Sequence, residues 1–206
     1  MKILFWTGWA FFRLVAAIVF RVKIIGAENI PDSAAFILAS NHISYYDPPL
    51  VGCCCKREVF FFTKKELFRF KPFGAILLRV NALPVNRAAI DRAAIETAVE
   101  VLKKGYGLTM FPEGTRSKTD GFLPVKPGVG MIARQAVVPI VPAYIHGANQ
   151  LWNCFLGRTH LSVSYGKPIP AEWVKSVDAS KEGYESIANE IISRIGKLKT
   201  ALAEGS

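Results

Sequence analysis

The sequence is poor in what a disulfide-stapled or metal-built protein needs. Its 206 residues hold four cysteines, and three of them, Cys53, Cys54 and Cys55, are consecutive. Adjacent cysteines pair badly, and a chain this long is not a small cysteine-dense scaffold, so the thiols read as structural groups in a reducing compartment. A zinc site would want spaced pairs of ligands, and no matching second pair exists. Internal repeats, low-complexity tracts and long linkers are also missing, as are nucleic-acid-binding motifs and a GxSxG nucleophile elbow. Acidic residues are scarce: 16 Asp and Glu face 26 Lys and Arg, a formal charge of +10. Such a surface favours anionic partners, among them acidic lipid headgroups, phosphorylated ligands or an acidic carrier protein.

What is present fits one α/β domain with a short N-terminal appendage. Hydrophobic residues make up 51% of the chain and charged ones 20%, which excludes a disordered protein. The length is enough to bury a real core. Residues 3–20 are apolar except for Thr7, Gly8 and Arg13. That run approaches the length of a membrane span, but Arg13 sits near its middle, where a charge is costly. Arg13 also splits the apolar region a signal peptide would need, and no clear cleavage site follows. On a helix, Lys2, Trp6, Trp9 and Arg13 share one narrow stripe. Basic residues beside tryptophans suit a helix lying in the membrane interface, so residues 1–21 are expected to be a membrane-associating helix. An ordinary core helix or a spanning helix are the other readings of this segment.

Residues 22–206 are expected to form the domain proper. Strand-like runs fall at 22–25, 34–39, 58–63, 82–86, 107–111, 138–145 and 161–165. Helical spacing covers 65–80, interrupted by Pro72 and Gly74, then 88–104, 128–136 and 181–203. Alternating strands and helices, with several strands apolar throughout, predict a mainly parallel sheet flanked by helices.

Three polar clusters each begin directly after a strand-like run: Asn41-His42 to Asp47, Asn86-Arg87, and Pro112 to Ser117. Parallel strands would bring all three to one sheet edge, where ligands of open α/β sheets bind. One histidine, two carboxylates and two arginines would then meet. Imidazole, with an ordinary pKa of about 6.5, suits His42 as a general base. Asp47, five residues on, can orient that ring across a turn; it can also cap a helix, with Pro48 at the first helical position. Ser44 is too close to His42 in a short turn to serve as a nucleophile. Arg87 and Arg116 offer planar donors for a phosphate, and Gly114 permits close approach of backbone and ligand. Glu113 can bond a substrate hydroxyl or pair with an arginine to hold its loop. Lys126 and Arg134 read mainly as solvated surface charges.

The Asn-His-x4-Asp box (NHISYYD) and the later block FPEGTRS resemble the signatures of the glycerolipid acyltransferase superfamily, especially the 1-acylglycerol-3-phosphate acyltransferases. The stretches TKKELFRFKPFG, ALPVNR, KPGVGMIARQAVVPIVPAYIHG and YGKPI follow in family order, from about Val22 to Pro170. The resemblance implies the glycerol-3-phosphate acyltransferase-like fold. It implies acyl transfer from acyl-CoA or acyl-acyl carrier protein to a lysophospholipid hydroxyl, with no cofactor. It makes His42 and Asp47 catalytic, and Arg87, Glu113, Gly114, Thr115 and Arg116 substrate-binding. A phospholipid membrane surface is the implied partner, at the cytoplasmic face of the cell membrane, with peripheral or monotopic attachment. Asn81 stands where members often have Gly, and Asn86 where an acidic residue often precedes the arginine. Both are expected near the phosphate pocket, where they bear on the identity of the acceptor. Another lysolipid, or glycerol 3-phosphate, remains an alternative acceptor, and a non-catalytic lipid-binding protein an alternative of another class.

Overall fold

A computed structural model describes residues 2–86 and 91–205. In chain order the elements are α1 (Lys2–Ile18), β1 (Lys23–Ile25), β2 (Phe36–Ser40), α2 (Asp47–Cys54), β3 (Val59–Lys64), α3 (Lys71–Arg79), β4 (Ala82–Val85) and α4 (Arg92–Lys103). There follow β5 (Gly107–Met110), α5 (Gly128–Ala136), β6 (Ile140–His146), α6 (Leu151–Phe155), β7 (Ser162–Tyr165), α7 (Ala171–Ser176) and α8 (Lys181–Glu204). The strands form one sheet in the order β1-β7-β6-β2-β5-β3-β4. Five strands, β6, β2, β5, β3 and β4, run parallel. β7 opposes β6, and β1 runs with β7, so these two point the other way.

Both faces of the sheet are covered, which is why its central strands are apolar along most of their length, with Ser40 and Thr109 as buried polar exceptions. Along β2, Phe36 and Leu38 enter the cluster beneath α2, while Ile37 and Ala39 enter the cluster beneath α5 and α8. Each cluster takes alternate residues of the same strand, as the two-residue repeat requires. α8 adds Ile187, Ile191 and Ile195, spaced one turn apart and fully buried. Its first turn is capped by Ser180, whose hydroxyl accepts from the Gly183 N–H at 3.1 Å. α5 lies close to the start of α8 at Gly130, where any Cβ would stand 2.2 Å from the Tyr184 carbonyl oxygen.

Three helices have little signal in the sequence. α2 opens with two prolines and contains Gly52, and α6 and α7 are too short to show a period. The expected 65–80 helix divides into a 3-10 turn at Lys65–Phe68 and α3. Pro72 sits in the first turn of α3, where its missing N–H costs nothing, rather than in a helix interior. The 88–90 portion of the expected 88–104 helix lies outside the described residues.

α1 packs on α2 through Trp9 and Ala16, and Phe5 is also buried. The Trp9 indole N–H donates to the Cys55 carbonyl at 2.9 Å. Of the expected stripe, Trp9 and Arg13 therefore face the domain while Trp6 stays exposed, beside an otherwise apolar outer surface of Ile3, Leu4, Phe11, Phe12, Leu14 and Ile18. The three consecutive cysteines in the cluster with Trp9 are all free and buried, and burial pushes the Cys55 thiol up to about 11. A hydrogen bond from Cys53 pulls the Cys54 thiol down, burial opposes this, and the Arg13 guanidinium adds a further downward pull. Among the described residues, no helix is long and apolar enough to cross a membrane.

Candidate active site

The carboxyl ends of β2, β4, β5 and β6 share one edge of the sheet, and the polar loops converge there as their positions after the strands predict. The His42 Nδ1 atom lies 2.7 Å from Asp47 Oδ2. The same Oδ2 accepts the Ile43 and Ser44 backbone N–H groups, each at 2.7 Å. Three donors on one oxygen fix the carboxylate, which is fully buried beside a His42 that is 7% exposed. Asp47 is the first residue of α2 but does not cap it forwards. A forward cap would need the N–H of Pro49 or Leu50; Pro49 has none, and that of Leu50 donates to the Tyr46 carbonyl at 3.0 Å. The carboxylate turns back onto the His42 loop instead, holding Nδ1 as donor and leaving Nε2 to face outward. The His42 ring stacks on Phe111, with centroids 4.2 Å apart and planes at 22°.

Glu113 holds its loop, as one of its two expected roles has it, through backbone N–H groups and with no arginine partner. Its Oε1 accepts the His42 backbone N–H at 3.1 Å, and its Oε2 accepts the Leu123 N–H at 2.8 Å. It is 2% exposed. With the Ser117 N–H donating to the His42 carbonyl at 2.8 Å, it ties the loops after β2 and β5 together. Asn41 makes the equivalent tie to β6. Its Oδ1 accepts the Ile145 N–H at 2.8 Å, and its Nδ2 donates to the Ile145 carbonyl at 3.0 Å. Asn41 and Phe111 lie within the two motif blocks, where an Asn closing an apolar strand is the only sequence cue to either contact.

Gly114 has φ +67, and the space where a Cβ would sit is filled by the Lys126 side chain, with Cδ 2.9 Å away. The close approach expected of a ligand is thus made by lysine, and Lys126 joins the cleft lining. The Arg116 guanidinium lies 3.4 Å above the centre of the Tyr45 ring. Thr115 is exposed beside it. Arg87 lies outside the described residues. Arg134 is elsewhere, with its Nε donating to the Val177 carbonyl at 2.7 Å.

Asn81 is not near this edge. It precedes β4 at the opposite end of the sheet, with φ +66 and its side chain on Glu58. Glycine is favoured at such a left-handed position, and Asn is among the residues that tolerate it. Its departure from the family pattern is a matter of backbone shape. Asn86 does reach the site. Its backbone N–H donates to Asp91 Oδ2 at 2.9 Å, while Asp91 Oδ1 caps α4 through the Ala94 N–H at 3.1 Å. These two backbone hydrogen bonds hold the Asp91 carboxyl below its ordinary range.

His42 opens onto a cleft of about 460 Å³ between β3, β5, α4 and α5. Its walls include Phe62, Val85, Ile95, Met110, Val129, Met131 and Ile132, and its polar groups include His42, Asn86, Asp91 and Lys126. The arrangement is an apolar trough with an oriented imidazole at one end. It can hold a long apolar chain and place a reacting carbonyl beside a base. Among the described residues, no cluster of His, Cys, Asp or Glu is placed to hold a metal ion.

The family model described as Acyltransferase matches residues 21–146. The 1-acyl-sn-glycerol-3-phosphate acyltransferase of Bacillus subtilis is 29% identical over 182 residues, 88% of this chain and 89% of the relative. The enzyme of the same name from Streptococcus pneumoniae is 33% identical over 165 residues, 79% of this chain and 60% of its own. The crystal structure of the 1-acyl-sn-glycerophosphate acyltransferase PlsC from Thermotoga maritima superposes with a TM-score of 0.70. It is 27% identical, and the match covers 93% of this chain and 79% of that one. The mainly parallel, helix-flanked sheet is the fold of that enzyme, and this chain belongs to the acyltransferase family.

Proposed function

We propose that the chain transfers a fatty acyl group from a thioester, acyl-CoA or acyl-acyl carrier protein, to the free hydroxyl of 1-acyl-sn-glycerol 3-phosphate. The product is phosphatidic acid and a free thiol. The observation that carries this reading is the Asp47-held imidazole of His42 at one end of a large apolar cleft. The relatives' names support the acceptor.

The reaction is a direct attack. His42 Nε2 takes the proton of the acceptor hydroxyl as its oxygen bonds to the thioester carbonyl carbon. The imidazolium so formed is stabilised by Asp47 through the 2.7 Å contact. When the tetrahedral intermediate collapses, the C–S bond breaks and the His42 proton passes to the departing thiolate. No protein nucleophile and no cofactor enters. The acyl chain lies along Phe62, Ile95, Met131 and Ile132. Arg116 and Arg87 hold the acceptor phosphate, with Lys126 as a further cation at the cleft. Glu113, Gly114 and Thr115 shape that loop, Glu113 through the His42 backbone.

The acceptor is a membrane lipid, so the enzyme works as a peripheral or monotopic protein on the cytoplasmic face of the cell membrane. The +10 charge and the exposed apolar surface of α1 suit that placement. The test is thiol release from palmitoyl-CoA in detergent micelles with lysophosphatidic acid, glycerol 3-phosphate or lysophosphatidylcholine, followed by product mass. Release that depends on lysophosphatidic acid, with the mass of phosphatidic acid, is the expected result. Release only with another acceptor overturns the assignment. Arg116→Ala should raise the acceptor KM about tenfold and change kcat little, since it removes binding common to ground and transition states.

A further inference from the structure

We infer that a second, polar cavity beside the His42 cleft takes the phosphopantetheine arm of the acyl donor. This rests on the proposed thioester chemistry and places the part of the donor that the apolar cleft does not hold. The cavity has a volume of about 290 Å³ and lies between the segment after β5 and the end of β6. Both cavities open over the α5 and α8 face of the sheet: Met110 and Val129 line one, Phe122 and Tyr144 the other. The change from one to the other falls within a single residue. His42 lines the apolar cleft, while its neighbours Asn41 and Ile43 line the polar cavity. Gly114 lines the first and Glu113 the second.

The walls of the polar cavity are fixed by contacts within the chain. The Ser117 hydroxyl donates to the Gly121 carbonyl at 2.9 Å and accepts the Thr119 N–H at 3.3 Å, which winds the segment after β5 into a tight loop. Lys199 of α8 holds that loop, 3.2 Å from the Asp120 carboxylate and donating to the Asp120 carbonyl. On the other side Gly147 has φ +81, and a Cβ there would stand 2.4 Å from the His160 carbonyl oxygen. The Gln150 N–H closes this turn on the Gly147 carbonyl at 2.9 Å. A cavity with preset walls spends little of its ligand's binding energy on ordering.

The lining groups name the ligand. Tyr144 is 6% exposed, and its hydroxyl has no hydrogen-bond partner among the described residues. Burial, helped by the Asp120 charge, pushes this phenol up, so it stays a hydroxyl donor. Burial and the neighbouring His160, with ring centroids 4.9 Å apart, push the His146 imidazole down, so it is neutral at pH 7. Asn149 and Gln150 add exposed amides, each both donor and acceptor. Lys118 is the one lysine or arginine among the described lining residues. A fatty chain would leave the Tyr144 hydroxyl unpaired, and a bare phosphate would find one cation and no arginine. Phosphopantetheine carries two amides and a hydroxyl between its thiol and a single phosphate. It matches neutral donors and acceptors beside one lysine, with its thioester end toward His42. The arm is common to acyl-CoA and acyl-acyl carrier protein, so one cavity serves either donor.

The experiment is calorimetric binding of pantetheine 4′-phosphate to the full chain, comparing wild type with Tyr144→Phe and with Tyr144→Phe/Asn149→Ala. Loss of one hydrogen bond should weaken binding about fivefold, and the double variant at least about tenfold, at unchanged melting temperature. Variant affinities within twofold of wild type overturn the inference, as does a wild type that does not bind the arm. Tyr144→Phe keeps the ring, so it carries the test should the double variant not fold. Steady-state kinetics with palmitoyl-CoA and with palmitoyl-acyl carrier protein then identify the source of the arm. The KM of the donor in use should rise by the same factor, with the KM for lysophosphatidic acid unchanged. A rise in the acceptor KM alone assigns the cavity to the acceptor and overturns the inference. Arm binding needs no turnover, so a chain that binds the arm through Tyr144 yet fails to acylate lysophosphatidic acid contradicts the proposed function alone.

Discussion

The His42 turn and α1 are built on opposite terms. In the turn, nearly every polar group is buried and engaged: Asp47 Oδ2 takes three donors, Glu113 two, and Asn41 both binds and is bound by Ile145. In α1 the outer surface is apolar and exposed, and the ties to the domain are Trp9 and a few small contacts. Hydrogen bonds across the domain hold one imidazole in place, while side-chain chemistry alone sets what the outer face of α1 can touch. Substitutions in the turn should therefore alter rate and stability sharply, and substitutions on the exposed face of α1 should leave stability unchanged.

Asp47→Asn should have the largest effect on the first side of that contrast. It keeps the shape but removes the charge that stabilises the imidazolium, so kcat should fall about 10²- to 10⁴-fold. Steady-state kinetics alongside a melting curve would check that rate falls further than stability. Asn41→Ala should come next. It leaves the buried Ile145 N–H and carbonyl unpaired, costing about 1–3 kcal/mol each, and should lower the melting temperature by several degrees. Glu113→Gln sets an NH₂ group against one of two N–H donors. It should lower kcat about tenfold with the acceptor KM unchanged, a loss confined to the transition state. A raised KM would instead return Glu113 to a substrate-binding role. Phe11→Ser, on the exposed face of α1, should move stability by less than about 0.5 kcal/mol in thermal unfolding, and a larger shift would break the contrast.

The sequence carried this site unevenly, and the unevenness follows contact range. The His42–Asp47 pair is legible because five residues and two prolines confine its geometry locally. The sheet edge is legible because each polar cluster follows an apolar strand. The bracing role of Glu113 is not, since it depends on a contact 71 residues away in the chain. Asn41 is in the same position, bound to a residue 104 positions away. The apolar run predicts that α1 is a helix, but not that Trp9 of its stripe turns inward, since that rests on a hydrogen bond to Cys55, 46 residues away. Asn81 shows the converse: a departure from the family pattern that looked chemical is a left-handed backbone position far from the site.

Whether His42 moves the acceptor proton is read from single-turnover thiol release from palmitoyl-CoA with saturating lysophosphatidic acid, comparing wild type with His42→Ala. Wild type should show acceptor-dependent release, and the variant should lose at least about 10²-fold of it while retaining substrate binding and melting temperature. Release at the wild-type rate from a folded His42→Ala protein would contradict that role.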